Sequence, residues 1–244
     1  MIARITHNQM TPEEYLAFEE KSSVKHEYID GQVYAMSGTT DSHNTISQNA
    51  QIALRLHLRG TECDVYIADV KAQLVHRKNY YYPDVMVTCD PQDKLDSIAK
   101  RHPKLIVEVI SDSTEGFDRG DKFVDYQTFE SLEEYVLINT RHKRVEVFRR
   151  AEGGLWVLQP YKDNEGADET IVELKSVGRS VPLSELYVDV RFPEATTKAP
   201  ETTWLGILLD SLDRNVNGKY STSSVRITGK LTTVHLSNNL IAGG

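Results

Sequence analysis

The chain of 244 residues has no run of about 18 consecutive apolar residues, the length a helix needs to cross a bilayer. Its opening, Met1-Ile2-Ala3-Arg4-Ile5-Thr6-His7-Asn8, lacks the apolar core of a secretory signal. It has two cysteines, Cys63 and Cys89, too few for a disulfide framework or a four-cysteine metal site. Reduced thiols, a cytoplasmic location and no membrane partner are therefore expected. An excess of positive charge is also missing. With 28 Lys and Arg against 36 Asp and Glu, the net charge is −8. That argues against a passive coat on nucleic acid, while leaving room for an enzyme that meets it through a local patch and a metal. No Gly-x-Ser-x-Gly elbow or Gly-x-Gly-x-x-Gly turn occurs, and Gly218-Lys219 and Gly229-Lys230 lack the upstream glycine of a phosphate loop.

What is present is an ordinary globular composition, 39% hydrophobic and 26% charged, long enough to bury a core without staples. Thr11-Pro12-Glu13-Glu14 reads as an N-cap, a first-turn proline and a capping box. Asp30-Gly31 between short alternating runs signals a hairpin. Ile46, Ala50, Ala53, Leu54 and Leu58 recur at helical spacing over 42–58. Strands are expected at 64–68, 70–75, 81–89, 105–110 and 135–138, a loop or short helix at 90–103, and a helix over 114–129. A hairpin is expected across Glu152-Gly153-Gly154. This order gives an α/β or α+β domain ending near Val190. From Phe192 the composition shifts to a Pro- and Thr-rich linker and a polar tail, with one apolar island at Trp204 to Leu209.

The informative residue is a carboxylate inside an apolar strand. Glu108 sits in Leu105-Ile106-Val107-Glu108-Val109-Ile110, and alternation places it on the face of Ile106 and Ile110. A carboxylate buried there needs a cation, a metal or a raised pKa. Asp84, in Tyr82-Pro83-Asp84-Val85, poses the same problem. Two acids on separate strands make a site for a hard divalent cation, Mg²⁺ or Mn²⁺ rather than Zn²⁺. The bland alternative is that Asp84 closes a turn and Glu108 lies at a strand end near solvent. Asp118 and Lys122, four apart on a helix, either project a lysine toward the acids or form a surface ion pair.

Together, Glu27-Tyr28-Ile29-Asp30-Gly31, His43 opening a helix, Tyr82-Pro83-Asp84-Val85, Val107-Glu108-Val109-Ile110-Ser111, Asp118-Arg119-Gly120-Asp121-Lys122 followed by Tyr126, and Glu134-Tyr135 resemble the Uma2 family over roughly residues 10–190. That family belongs to the PD-(D/E)XK, restriction-endonuclease-like superfamily. The resemblance implies a central mixed β-sheet flanked by helices over residues 1–191, with 192–244 as linker and tail. It implies an Mg²⁺- or Mn²⁺-dependent endonuclease acting on nucleic acid, DNA above all. A homodimer would supply two sites for duplex cutting. Asp84 and Glu108 correspond to the metal-binding acids, and the Val109 carbonyl to a further ligand. Glu27 corresponds to an additional acid, with Asp118 in support. The superfamily places a lysine two residues after the Glu. Here that position is Ile110, and Lys122 is the matching lysine. Substrate contacts are expected from His43, Arg119, Lys104 and the basic clusters Lys100-Arg101-His102-Lys104 and Arg141-His142-Lys143-Arg144, although a solvated face is the commoner meaning of such clusters. The alternative is a nuclease-like module that binds without turnover.

Overall fold

The computed structural model describes residues 3–4, 9–163 and 168–192. The expected linker after Phe192 and the tail beyond it lie outside the described residues. Thr11 caps the helix Pro12–Glu19, and its hydroxyl and the Glu14 carboxylate form both halves of the capping box. At the hairpin His26–Ile29 to Gln32–Ala35, Asp30 and Gly31 take φ of 49° and 84°, the positive values such a two-residue turn requires.

The main sheet has six strands in the order Trp156–Lys162, Arg144–Arg150, Glu134–Asn139, Pro103–Ile110, Val85–Thr88 and Asp64–Ile67. Only the pairing of Pro103–Ile110 with Glu134–Asn139 is parallel, so the sheet is mixed. The helix Asp41–His57 lays Ile46, Ala50, Ala53 and Leu54 on one face, against Val107, Val109, Val136 and Val147. The other face carries Ile106, Ile110, Tyr135 and Leu137 under Phe123 and Tyr126. A strand covered on both faces must be apolar on both, which is why residues 105–110 read as a continuous run.

A second six-stranded sheet holds Ala3–Arg4, Gln32–Ala35, His26–Ile29, Asn79–Tyr81, Lys71–Leu74 and Ala99–Lys100. The run expected as one strand over 81–89 is therefore divided. Asn79–Tyr81 belongs to the smaller sheet and Val85–Thr88 to the main one. Tyr82-Pro83-Asp84 carries the chain across, since Pro83 has no N–H to give a ladder. The helix expected over 114–129 is also two, Glu115–Arg119 and Asp121–Tyr126, broken at Gly120. Sequence reading missed the small hairpin Ile171–Leu174 with Arg179–Pro182, whose Val172, Leu174 and Val181 close the core.

The cysteines correct the expectation of reduced thiols. Asp64 faces Thr88 across the antiparallel pair, so Cys63 and Cys89 occupy the next facing position. Their Cα atoms are 4.0 Å apart and their sulfurs are bonded. Strand register brings together two residues that the sequence separates by 26 positions. Among the described residues, no helix is long and apolar enough to cross a membrane.

Candidate active site

Glu108 leaves its strand on the face covered by the helix Asp121–Tyr126, as alternation requires, and is 3% exposed. Lys122 comes down from that helix. Its Nζ lies 2.8 Å from Glu108 Oε1, 3.2 Å from Glu27 Oε1 and 3.6 Å from Asp118 Oδ1. Glu27, from the hairpin strand His26–Ile29, is 2% exposed, and its Oε1 also accepts from the Tyr82 N–H at 3.3 Å. The Tyr126 hydroxyl donates to Glu108 Oε1 at 2.9 Å. The pair at Asp118 and Lys122 is thus a buried contact across the break at Gly120 rather than a surface one.

Asp84 stands beside this cluster, at the crossing between the sheets. Its N–H donates to Glu108 Oε2 at 3.3 Å, and its Oδ2 accepts from the Val109 N–H at 2.7 Å. The two acids are therefore fixed through each other's strands. His43 Nε2 is 3.2 Å from the same Asp84 Oδ2. Two expected substrate contacts lie elsewhere. Lys104 pairs with Glu133, and Arg119 with Glu115 and the buried Glu146.

Three buried carboxylates share one ammonium, and that imbalance sets the electrostatics. Burial, with the Asp84 and Asp118 charges added, pushes Glu108 up to about 8, against the pull of Lys122. Burial likewise raises Glu27 and Asp118 above the usual carboxylate range. Burial alone would lower the Lys122 ammonium, but the Glu108 and Glu27 carboxylates hold it well above its ordinary value.

Among the described residues, no three His, Cys, Asp or Glu side chains form a ready metal cage. A magnesium-like ion does not need one, since it keeps several waters and takes one or two carboxylates. The residues fit such an ion. The donors are hard oxygens, the carboxyl groups around Lys122 outnumber its one ammonium, and Glu27 Oε2 is buried with no hydrogen-bond partner. Tyr126 belongs to the family resemblance, but sequence reading gave it no role; only the fold turns its hydroxyl onto Glu108.

Residues 12–184 match the model of the Uma2 family, described as "Putative restriction endonuclease". The chain is 38% identical over 184 residues to an uncharacterized protein of Synechocystis sp., covering 75% of this chain and 94% of that one. It is 32% identical over 160 residues to a second uncharacterized protein of the same organism, covering 65% and 90%. A crystal structure from Anabaena variabilis, described as a "putative nuclease belonging to DUF820", superimposes with a TM-score of 0.59 at 13% identity. It covers 73% of this chain and 98% of that one, a likeness of fold.

Proposed function

The chain belongs to the Uma2 family, and on that premise we propose that it hydrolyses phosphodiester bonds of nucleic acid, DNA first, with Mg²⁺ or Mn²⁺. The observation that carries this reading is the set of three buried carboxyl groups gathered around the one ammonium of Lys122, beside Asp84.

Asp84, Glu108 and the Val109 carbonyl would hold the cation. When bound it would lower the pKa of a water and offset charge on the scissile phosphate. Lys122, fixed by Glu108, Glu27 and Asp118, orients the attacking water or takes up charge at the phosphoryl oxygens. His43 steadies Asp84 and faces the incoming strand. Residues 1–191 form the nuclease-like domain, with 192–244 appended. The working unit is a homodimer, because cutting both strands needs two sites. The compartment in this reading is the cytoplasm, where nucleic acid lies.

Calorimetric titration of Mn²⁺ tests the reading. Wild type binds and Glu108→Ala does not. Cleavage of DNA undiminished in Asp84→Ala and Glu108→Ala would falsify it. The burial of Glu27, Glu108 and Lys122, none more than 5% exposed, favours a second reading: a module that binds nucleic acid without turnover. Its signature is salt-dependent association with no product in either metal.

A further inference from the structure

The basic clusters legible in the sequence are spent on other contacts. Lys100 is buried, donating to the Asp93 and Asp96 carbonyls. Arg101 holds Asp96 and Gln73, and Arg141 and Lys143 pair with exposed Asp112 and Asp163. Arg77, in the turn between Lys71–Leu74 and Asn79–Tyr81, is placed differently. Its side chain is 47% exposed, yet its Nη1 lies 3.0 Å from Oδ1 of Asp125, which is only 6% exposed. Asp125 is fixed in turn by the Asn79 amide at 2.8 Å and the Tyr81 hydroxyl at 2.6 Å. An arginine in a surface turn would ordinarily sample many rotamers. This one is held by a carboxylate that two other donors immobilise, which leaves its other N–H groups preorganised.

Arg77 is the one cation among the described residues lining a cleft of about 640 Å³. That volume suits a ligand of nucleotide size. Tyr34 and Phe117 supply rings, and Asp30 and Asp121 supply carboxylates. Asp121 and Asp125 belong to the helix that carries Lys122, and Tyr81 is common to both places. Its hydroxyl faces the cleft's Asp125, and its ring centre lies 5.6 Å from Lys122 Nζ. The cleft is thus one side chain away from the carboxylate cluster.

We infer that this cleft takes an unpaired nucleobase next to the scissile phosphate, and that Arg77 makes it selective for guanine. The inference rests on nucleic acid being the substrate. A phosphate would be repelled by Asp30 and Asp121, whereas a base is not. Guanine meets both halves of the lining: its O6 and N7 accept from the arginine fork, and its amino edge donates to a carboxylate. Tyr34 and Phe117 offer surfaces for stacking, which tolerates any base and leaves discrimination to Arg77.

The test uses the full chain in Ca²⁺ and short fluorescent thymine-rich single strands bearing one guanine, adenine or cytosine. Wild type is expected to bind the guanine strand roughly tenfold tighter than the others. Arg77→Gln should erase that preference and leave the salt dependence of binding unchanged, because a base contact releases no counterion. Arg77→Lys, which keeps the charge without the fork, should not restore it. Asp125→Asn, with a melting curve to check folding, should weaken the preference through a loosened Arg77. Equal loss on all three strands with a shallower salt slope in Arg77→Gln would make Arg77 a phosphate contact and overturn the inference. So would a guanine preference that survives Arg77→Gln, or none in the wild type. If the wild type binds no strand at all, the nucleic-acid reading falls too, which separates that failure from the others.

Discussion

Lys122 Nζ lies 2.8 Å from Glu108 Oε1, although the two residues come from different layers of the fold. In the superfamily pattern the lysine shares the strand with the acid. Here the corresponding residue, Ile110, packs into the apolar cluster with Phe123 and Tyr126. Residues 108 and 110 face the same side of the sheet, and the covering helix brings Lys122 to Glu108 on that side. The substitution of position costs the site one feature. The same ammonium must also serve Glu27 and Asp118, so the carboxylates around it outnumber the positive charge.

The burial of Glu108, with the Asp84 and Asp118 charges beside it, predicts the pH dependence of the metal-free protein. Glu108 ionises near 8 when folded, above the ordinary carboxylate value of 4.5. Between these values the folded state binds more protons than the unfolded state, so stability falls as pH rises from about 4.5 to 8. Urea unfolding in EDTA should show the decline. Glu108→Gln should lessen it, leaving the share of Glu27 and Asp118, and Mn²⁺ at the alkaline end should restore wild-type stability. A wild-type profile as flat as that of Glu108→Gln would contradict the account.

Gly120 joins the two short helices that carry Asp118 and Lys122. A Cβ there would sit 2.9 Å from the Gly116 carbonyl oxygen, a backbone atom with no rotamer to escape into. Its φ of −101° is not in the left-handed region, so the contact alone decides the matter. Gly120→Ala should therefore spread the helix junction, cost about 1–3 kcal/mol and pull Lys122 away from Asp118. Denaturant melts and cleavage rates measured together check it. Full activity at full stability would show that the junction tolerates the methyl group.

The facing pair Cys63 and Cys89 predicts a redox-dependent stability. Closing a chain separation of 26 residues removes unfolded-state entropy equivalent to about 3.5 kcal/mol. Oxidised wild type should exceed both its reduced form and a Cys63→Ser, Cys89→Ser double variant by up to that amount. Thiol titration before each melt assigns the state. Identical melts for the oxidised and reduced forms would show that the bond adds nothing to the fold.

Much of this molecule was legible from local pattern. The Thr11 capping box, the Asp30-Gly31 hairpin, the periodic helix Asp41–His57 and the apolar strand around Glu108 each have a cause lying within a few residues. Local chemistry dictates them, so the chain states them directly. The division of residues 79–88 between two sheets was less visible, because each half has strand character and only the paired partners differ.

The sequence by itself placed an acid inside an apolar strand at position 108, with alternation setting it on the face of Ile106 and Ile110; that this face is buried came from the structure. It also determined that lysine was absent from position 110. Tertiary structure alone decided what meets that acid. Glu27, Asp118, Lys122 and Tyr126 converge on it from a hairpin and a broken helix, and the Cys63–Cys89 bond follows from register across two strands. The reason is physical: periodicity fixes which side of an element a residue takes, whereas packing between distant elements fixes which residues share that side.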